Sequence, residues 1–163
     1  MEHYVDYLYV YLLSLLPSYE GRYAVVTGVL LGLNPLYSLA IASLGVATLS
    51  LLLPNVLPAV DQLAEALAGS RIQIASSLAK LYTRYLWRAR SRASTHVKRY
   101  GVPGLIVFVA LPLPGTGVWT GSLAAYVVGM DKSKAILALF VGGFISNLIT
   151  FIPSYMAVAG ASP

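Results

Sequence analysis

Cysteine is absent from this chain. That excludes disulfides and thiolate metal sites. Histidine occurs only at His3 and His96, too far apart in sequence for a local metal motif. No nucleophile–base pair, metal cluster or nucleotide fingerprint can be assembled from the remaining residues, so neither a cofactor nor an enzymatic reaction is expected. Charge is scarce as well. Asp, Glu, Lys and Arg make up 10% of the residues, against roughly 25% in soluble domains. Hydrophobic residues make up 58%, and the mean hydropathy is +0.74. This composition is that of an integral membrane protein, and 163 residues suit one domain. The start of the chain carries Glu2 and Asp6 rather than the basic flank of a signal peptide, so the membrane segments are expected in the mature protein. Twelve tyrosines fit anchoring at the membrane interface.

The few charges are unevenly placed. Eight of the eleven basic residues lie between positions 71 and 99, and Lys132 and Lys134 follow a second glycine-rich stretch. The positive-inside rule puts both regions in the cytoplasm and both termini outside, in a plasma membrane. The pI of about 9.5 then reflects topology and anionic lipid headgroups rather than nucleic acid, because the basic run adjoins apolar segments. The eleventh basic residue, Arg22, sits inside an apolar stretch.

Residues 101–130 contain no charge, yet Pro112, Pro114, Gly115, Gly117 and Gly121 interrupt them. Proline and glycine break a helix, and broken backbone at membrane depth survives only where it faces protein or a water-filled cavity. A similar fracture at Pro17 and Gly21 divides residues 4–33. The arms on either side are shorter than the ~20 residues a spanning helix needs. Residues 4–33 and 101–130 therefore read as re-entrant hairpins. Residues 36–53 and 135–156 read as transmembrane helices, the first ending at Pro54. Residues 55–70 look interfacial. Residues 71–99 make a basic amphipathic helix, with Ile74, Leu78, Leu81 and Tyr85 at spacings of three and four.

A shift of 97 positions superimposes the two halves. It pairs Pro17 with Pro114, Gly32 with Gly129, Asn34 with Asp131 and Gly45 with Gly142. The expected fold is thus an all-α membrane domain of two inverted repeats, residues 1–54 and 101–163, joined by a cytoplasmic linker over 55–100. Inverted repeats with paired broken segments are the architecture of many transporters, whose sites lie where the breaks meet.

Glu20 and Arg22 are the only charges between Asp6 and Asp61, and they fall at the first break. Ionisable groups at membrane depth are expensive and mostly functional. The plainer alternative makes Glu20 a helix cap and lets Arg22 snorkel outward. Residues i and i+2 do not share a helix face, so each is expected to meet different partners across the two breaks. Gly115, Thr116 and Gly117 open a helix after a turn, where free amides attract anions; turn chemistry alone also calls for such residues. Thr116 and Thr120 add hydroxyls. Trp119 either lines the cavity or anchors at lipid. Asn147 reads as glue between helices, Gly45, Gly142 and Gly143 as packing surfaces, and Asp131 with Lys132 and Lys134 as a solvated turn.

At these residues the chain resembles a known family. Tyr100-Gly101, then the run from Val109 through Leu111-Pro112-Leu113-Pro114-Gly115-Thr116-Gly117-Val118-Trp119-Thr120 to Gly121, is similar to the signature of the small multidrug export protein family. Glu20-Gly21-Arg22 stands where that family has a Glu-x-Arg, and Tyr23, Ala24 and Val25 replace the glycine and proline that usually follow. The family is more distantly similar to the DedA/VTT membrane proteins, whose two facing hairpins are implicated in moving lipids such as polyprenyl phosphates. The resemblance implies a transporter or scramblase of a lipid-like substrate. Arg22 and the amides of Gly115 to Gly117 would hold the headgroup, and Glu20 would gate or couple to protons. A small cationic drug or metabolite exporter and a non-transporting membrane scaffold are the alternatives. Membrane lipids are the expected partners, and a homo-oligomer, most simply a dimer, is the expected assembly.

Overall fold

The computed structural model describes residues 3–17, 19–68, 84, 97, 99–113 and 115–161. Pro114 and nearly all of the basic linker over 71–99 lie outside them. The described residues form helices and no strand: α1 (His3–Leu15), α2 (Glu20–Leu30), α3 (Pro35–Ala68), α4 (Arg99–Ala110), α5 (Val118–Val127) and α6 (Lys132–Ala161). Among the described residues, two stretches are long and apolar enough to cross a membrane, Pro35–Leu63 and Lys132–Gly160. At 13, 11 and 10 residues, α1, α2 and α5 fall well short of a ~30 Å hydrocarbon layer at 1.5 Å per residue. The outer surface is apolar: Leu8, Leu44, Leu51, Leu137, Phe140 and Ile152 are all exposed. Exposed side chains of this kind belong in hydrocarbon.

The order short–short–long occurs twice. Leu30 and Val127, which end α2 and α5, lie 97 positions apart, as do Pro35 and Lys132, which open α3 and α6. The chemistry of the joints repeats with the same offset. α2 ends on Gly32 (φ 76°) and α5 on Gly129 (φ 69°), the left-handed conformation that glycine enters without a Cβ penalty. Leu33 N donates to Gly28 O, and Met130 N to Ala125 O, closing each helix in the same way. The next helix is then capped. Asn34 Oδ1 accepts from the amides of Leu36 and Tyr37, and Asp131 Oδ1 from those of Ser133 and Lys134. Asp131 is therefore a helix cap on an exposed turn.

Two cores result. Val10, Ala24, Val25, Val29 and Ala42 pack between α1, α2 and α3, joined by Phe151 of α6. Leu105, Val109, Val118, Ala124 and Leu139 pack between α4, α5 and α6, joined by Val46, Leu49 and Leu53 of α3. Each long helix thus seals its own short pair and contributes to the other core. Contact is closest at glycines. A Cβ on Gly45 would overlap Ser14 of α1, and one on Gly142 would lie 2.8 Å from Ile106 O of α4. A Cβ on Gly143 would lie 2.6 Å from Val46.

Two boundaries depart from the sequence expectation: α6 runs from Lys132 to Ala161 rather than over 135–156, and α3 takes in most of the stretch read as interfacial. α3 does not stop at Pro54; it runs through Pro54 and Pro58 to Ala68. Proline removes a backbone donor but is tolerated in apolar helices when side chains supply replacements. Asn55 Nδ2 donates to Leu51 O at 2.7 Å, and Tyr126 Oη of α5 donates to Asp61 Oδ2 at 2.8 Å, tying down the extension. In α6, Pro153 is followed by Ser154, whose hydroxyl reaches Thr150 O and Phe151 O.

Candidate functional site

The two breaks, between α1 and α2 and between α4 and α5, meet in the interior. Glu20 and Arg22 occupy the contact and are 4% and 2% exposed. Neither snorkels. Glu20 has φ 54°, a left-handed conformation that costs a residue with a Cβ about 1–2 kcal/mol. This twist at the mouth of α2 lets side chains at i and i+2 converge: Arg22 Nη2 lies 3.2 Å from Glu20 Oε2. The mutual contact adds to the expected separate partners, which each charge also finds. They meet each other, and both also reach the second break.

There each finds the helix end of opposite sign. Glu20 Oε2 accepts from Val118 N at 3.1 Å, and Oε1 from Trp119 N at 3.2 Å. These are the first free amides of α5, where the helix dipole favours an anion. Arg22 Nη1 donates to Leu111 O at 3.2 Å, Leu113 O at 3.4 Å and Thr116 Oγ1 at 3.3 Å, and Nη2 donates to Thr116 O. The carbonyls at the end of α4 are the complementary place for a cation. Thr116 Oγ1 in turn bonds Leu111 O and Leu113 O, which holds the turn in shape. Arg22 Nε has no partner among the described residues.

Sequence reasoning assigned anion binding to the amides of Gly115 to Gly117. The carboxylate is instead met one residue later. α5 begins at Val118 with Gly117 as its N-cap (φ 127°), so the free donors are Val118 and Trp119. Gly117 makes room: a Cβ there would overlap both Glu20 Oε2 and Arg22 Nη2. Gly115 is exposed with φ 83° and serves the turn. Thr120 bonds within its own helix, to Gly117 O at 3.4 Å. Trp119 is half-buried, and its Nε1 donates to Leu15 O at the end of α1, at 3.1 Å. Pro17 and Pro112 sit in the breaks, whereas Gly21 and Gly121 lie within α2 and α5. Their role is close approach. A Cβ on Gly21 would lie 2.6 Å from Asn147 Oδ1, and one on Gly121 2.5 Å from Val109. Asn147 is buried and bonds Ser43 Oγ at 3.3 Å, joining α6 to α3.

The carbonyls of Leu15, Leu111 and Leu113 and the amide of Val118 were not singled out from the sequence. A signal for them exists: the 97-residue offset pairs Glu20 with Gly117 and Arg22 with Trp119, which places each charge opposite the other break. On the outer side of the second break, a groove of about 510 Å³ runs along α4 past Pro103, Val107, Phe108 and Leu111 to Leu113 and Thr116. Its walls are almost wholly apolar, and the residues lining it include Leu111, Leu113 and Thr116, whose oxygens hold Arg22.

No curated protein and no solved structure matches the chain. The model of one family matches residues 20–149, beginning at the buried glutamate on the far side of the first break and covering the second break and most of both long helices. With two apolar helices of membrane-spanning length and this match, the chain is a membrane protein that belongs to the family described as "Putative small multi-drug export protein".

Proposed function

We propose that this protein is a transporter or scramblase of a lipid-like molecule with an anionic headgroup, in which Glu20 is a built-in stand-in for that headgroup. One observation carries the proposal: a carboxylate of the chain itself sits on the amides of Val118 and Trp119 beside the Arg22 guanidinium. Groups that hold one anion hold another when the first withdraws, and a phosphate makes the same charge-assisted bonds. The unpartnered Nε of Arg22 is a further donor for it. The groove along α4 fits the tail, since its lining is almost wholly apolar and includes Thr116, which bonds Arg22. Protonation of Glu20 neutralises the stand-in and frees the amides, which couples headgroup entry to a proton.

In this proposal α1/α2 and α4/α5 are re-entrant hairpins entering from opposite leaflets, related by a pseudo-two-fold axis in the membrane plane. Two pairs of equivalent residues support the axis, because each pair is in contact: Glu20 with Gly117, and Val46 with Gly143. Equivalent residues touch where a two-fold axis passes. The protein works as a homo-oligomer, most simply a dimer, because two long helices and two short hairpins are few to wrap a polar path. A single-chain mass in both detergent and lipid would overturn the dimer.

Purified protein in liposomes is expected to move fluorescent phospholipid or polyprenyl phosphate between leaflets. Arg22→Ala should abolish movement, and full activity in that variant would overturn the proposed site. A second function has its own observation: the oxygens of Leu111, Leu113, Thr116 and Glu20 form a cage around the Arg22 cation, which a cationic drug could enter instead. The two separate cleanly. Headgroup transport requires Glu20→Ala to tighten binding of a phosphate-headed lipid, whereas cation export requires Arg22→Ala to tighten binding of a lipophilic cation such as tetraphenylphosphonium.

A further inference from the structure

Arg22 and Trp119 stand 97 positions apart. Each lies in the first turn of the second helix of its pair, α2 and α5 respectively. Each ends in a flat N–H donor, and each reaches into the other pair. Arg22 Nη1 donates to Leu111 O and Leu113 O, just beyond α4. Trp119 Nε1 donates to Leu15 O, at the last residue of α1. The equivalent of Leu15 is Pro112, which Leu111 and Leu113 flank. The two ties are therefore images of one another about the line through Glu20–Gly117 and Val46–Gly143. Sequence comparison alone hides this, because an arginine and a tryptophan share no chemistry beyond a long reach and an N–H.

We propose that Trp119 is the second positioning residue of this site, and that Arg22 and Trp119 are the two latches of one gate. This rests on the transporter function proposed above. Images about an axis in the membrane plane lie towards opposite faces. The Trp119 tie then closes the contact between the two breaks towards one face and the Arg22 tie closes it towards the other; transport requires one to release while the other holds. The latches are unequal. Arg22 is charged, buried and bound to several oxygens, whereas Trp119 makes one neutral bond and is half-buried. Charge-assisted bonds are about twice as strong as neutral ones, so the Trp119 side opens more readily at rest.

The absence of cysteine gives a clean background for the test. Single cysteines are placed at Ser14 and Ala110, buried beside the two ties, and labelled in proteoliposomes by an impermeant maleimide added to one face or the other. Trp119→Phe should raise labelling of Ser14→Cys severalfold from one face. Arg22→Gln should raise labelling of Ala110→Cys severalfold from the opposite face. Trp119→His, which keeps a ring N–H, should retain the parent pattern. Arg22→Lys, which keeps the charge but not the forked reach, should give an intermediate rise and covers the case in which Arg22→Gln fails to assemble. The gate is overturned if both variants expose both reporters alike, if both open to the same face, or if neither reporter responds. Labelling as expected without lipid movement would leave the gate standing and remove the transport function; lipid movement with unresponsive reporters would do the reverse.

Discussion

Glu20 holds a strained backbone, gives up hydration and receives three partners in return: one guanidinium and two amides. A buried ion pair is poor evidence of stability in itself, but removing one member leaves the other charge uncompensated. Arg22→Ala is therefore expected to lower stability by about 3–5 kcal/mol, read as thermal unfolding in detergent, and adding Glu20→Gln to it should restore most of the loss. A double variant as unstable as the single one would mean that Arg22 acts by packing rather than by charge. The same contact makes Gly117→Ala informative, since its methyl would overlap the carboxylate and the guanidinium. This much was half legible. The isolation of Glu20 and Arg22 in an apolar stretch marks them as a site. Their mutual contact was hidden, because a regular helix turns i and i+2 apart and only the left-handed backbone at Glu20 brings them together. The partner amides of Val118 and Trp119 were missed by one residue, since the start of α5 depends on where the turn through Leu113 and Thr116 closes.

Helix boundaries read well wherever local chemistry sets them. Gly32 and Gly129 end helices through positive φ, and Asn34 and Asp131 start them through side-chain caps; all four were visible as a repeated pattern. Pro54 misled, because proline ends a helix in water but not where Asn55 and neighbouring helices support the backbone. Small residues at helix contacts were also legible by type, although not by partner. Gly45 packs on Ser14, and no space remains for a methyl group. Gly45→Ala should cost about 1–3 kcal/mol by overpacking, measured as a loss of thermal stability. Ser14→Gly in the same chain should recover it, because the clash involves both the Oγ and the Cβ of Ser14. Failure of the rescue would show that α3 and α1 do not approach as closely as this.

The two halves share element order, exit turns, caps and glycine contacts, yet few identical residues, so the repeat is carried by backbone geometry more than by side chains. That is why the offset was faint in sequence and why it matters for orientation. Were the halves parallel, the two exit turns would face the same side of the membrane and the breaks could not meet as images. In the proposed inverted arrangement the turns face opposite sides, and the distribution of basic residues decides which is which: Lys132 and Lys134 adjoin the second turn, whereas none adjoins the first. Tyr37 and Lys134 are equivalent and both exposed. In intact cells, an impermeant thiol reagent should label Tyr37→Cys, while Lys134→Cys should react only after permeabilisation. Labelling of both from outside would place the two exit turns on one side of the membrane and overturn the proposed two-fold axis and the opposite-leaflet entry of the two hairpins.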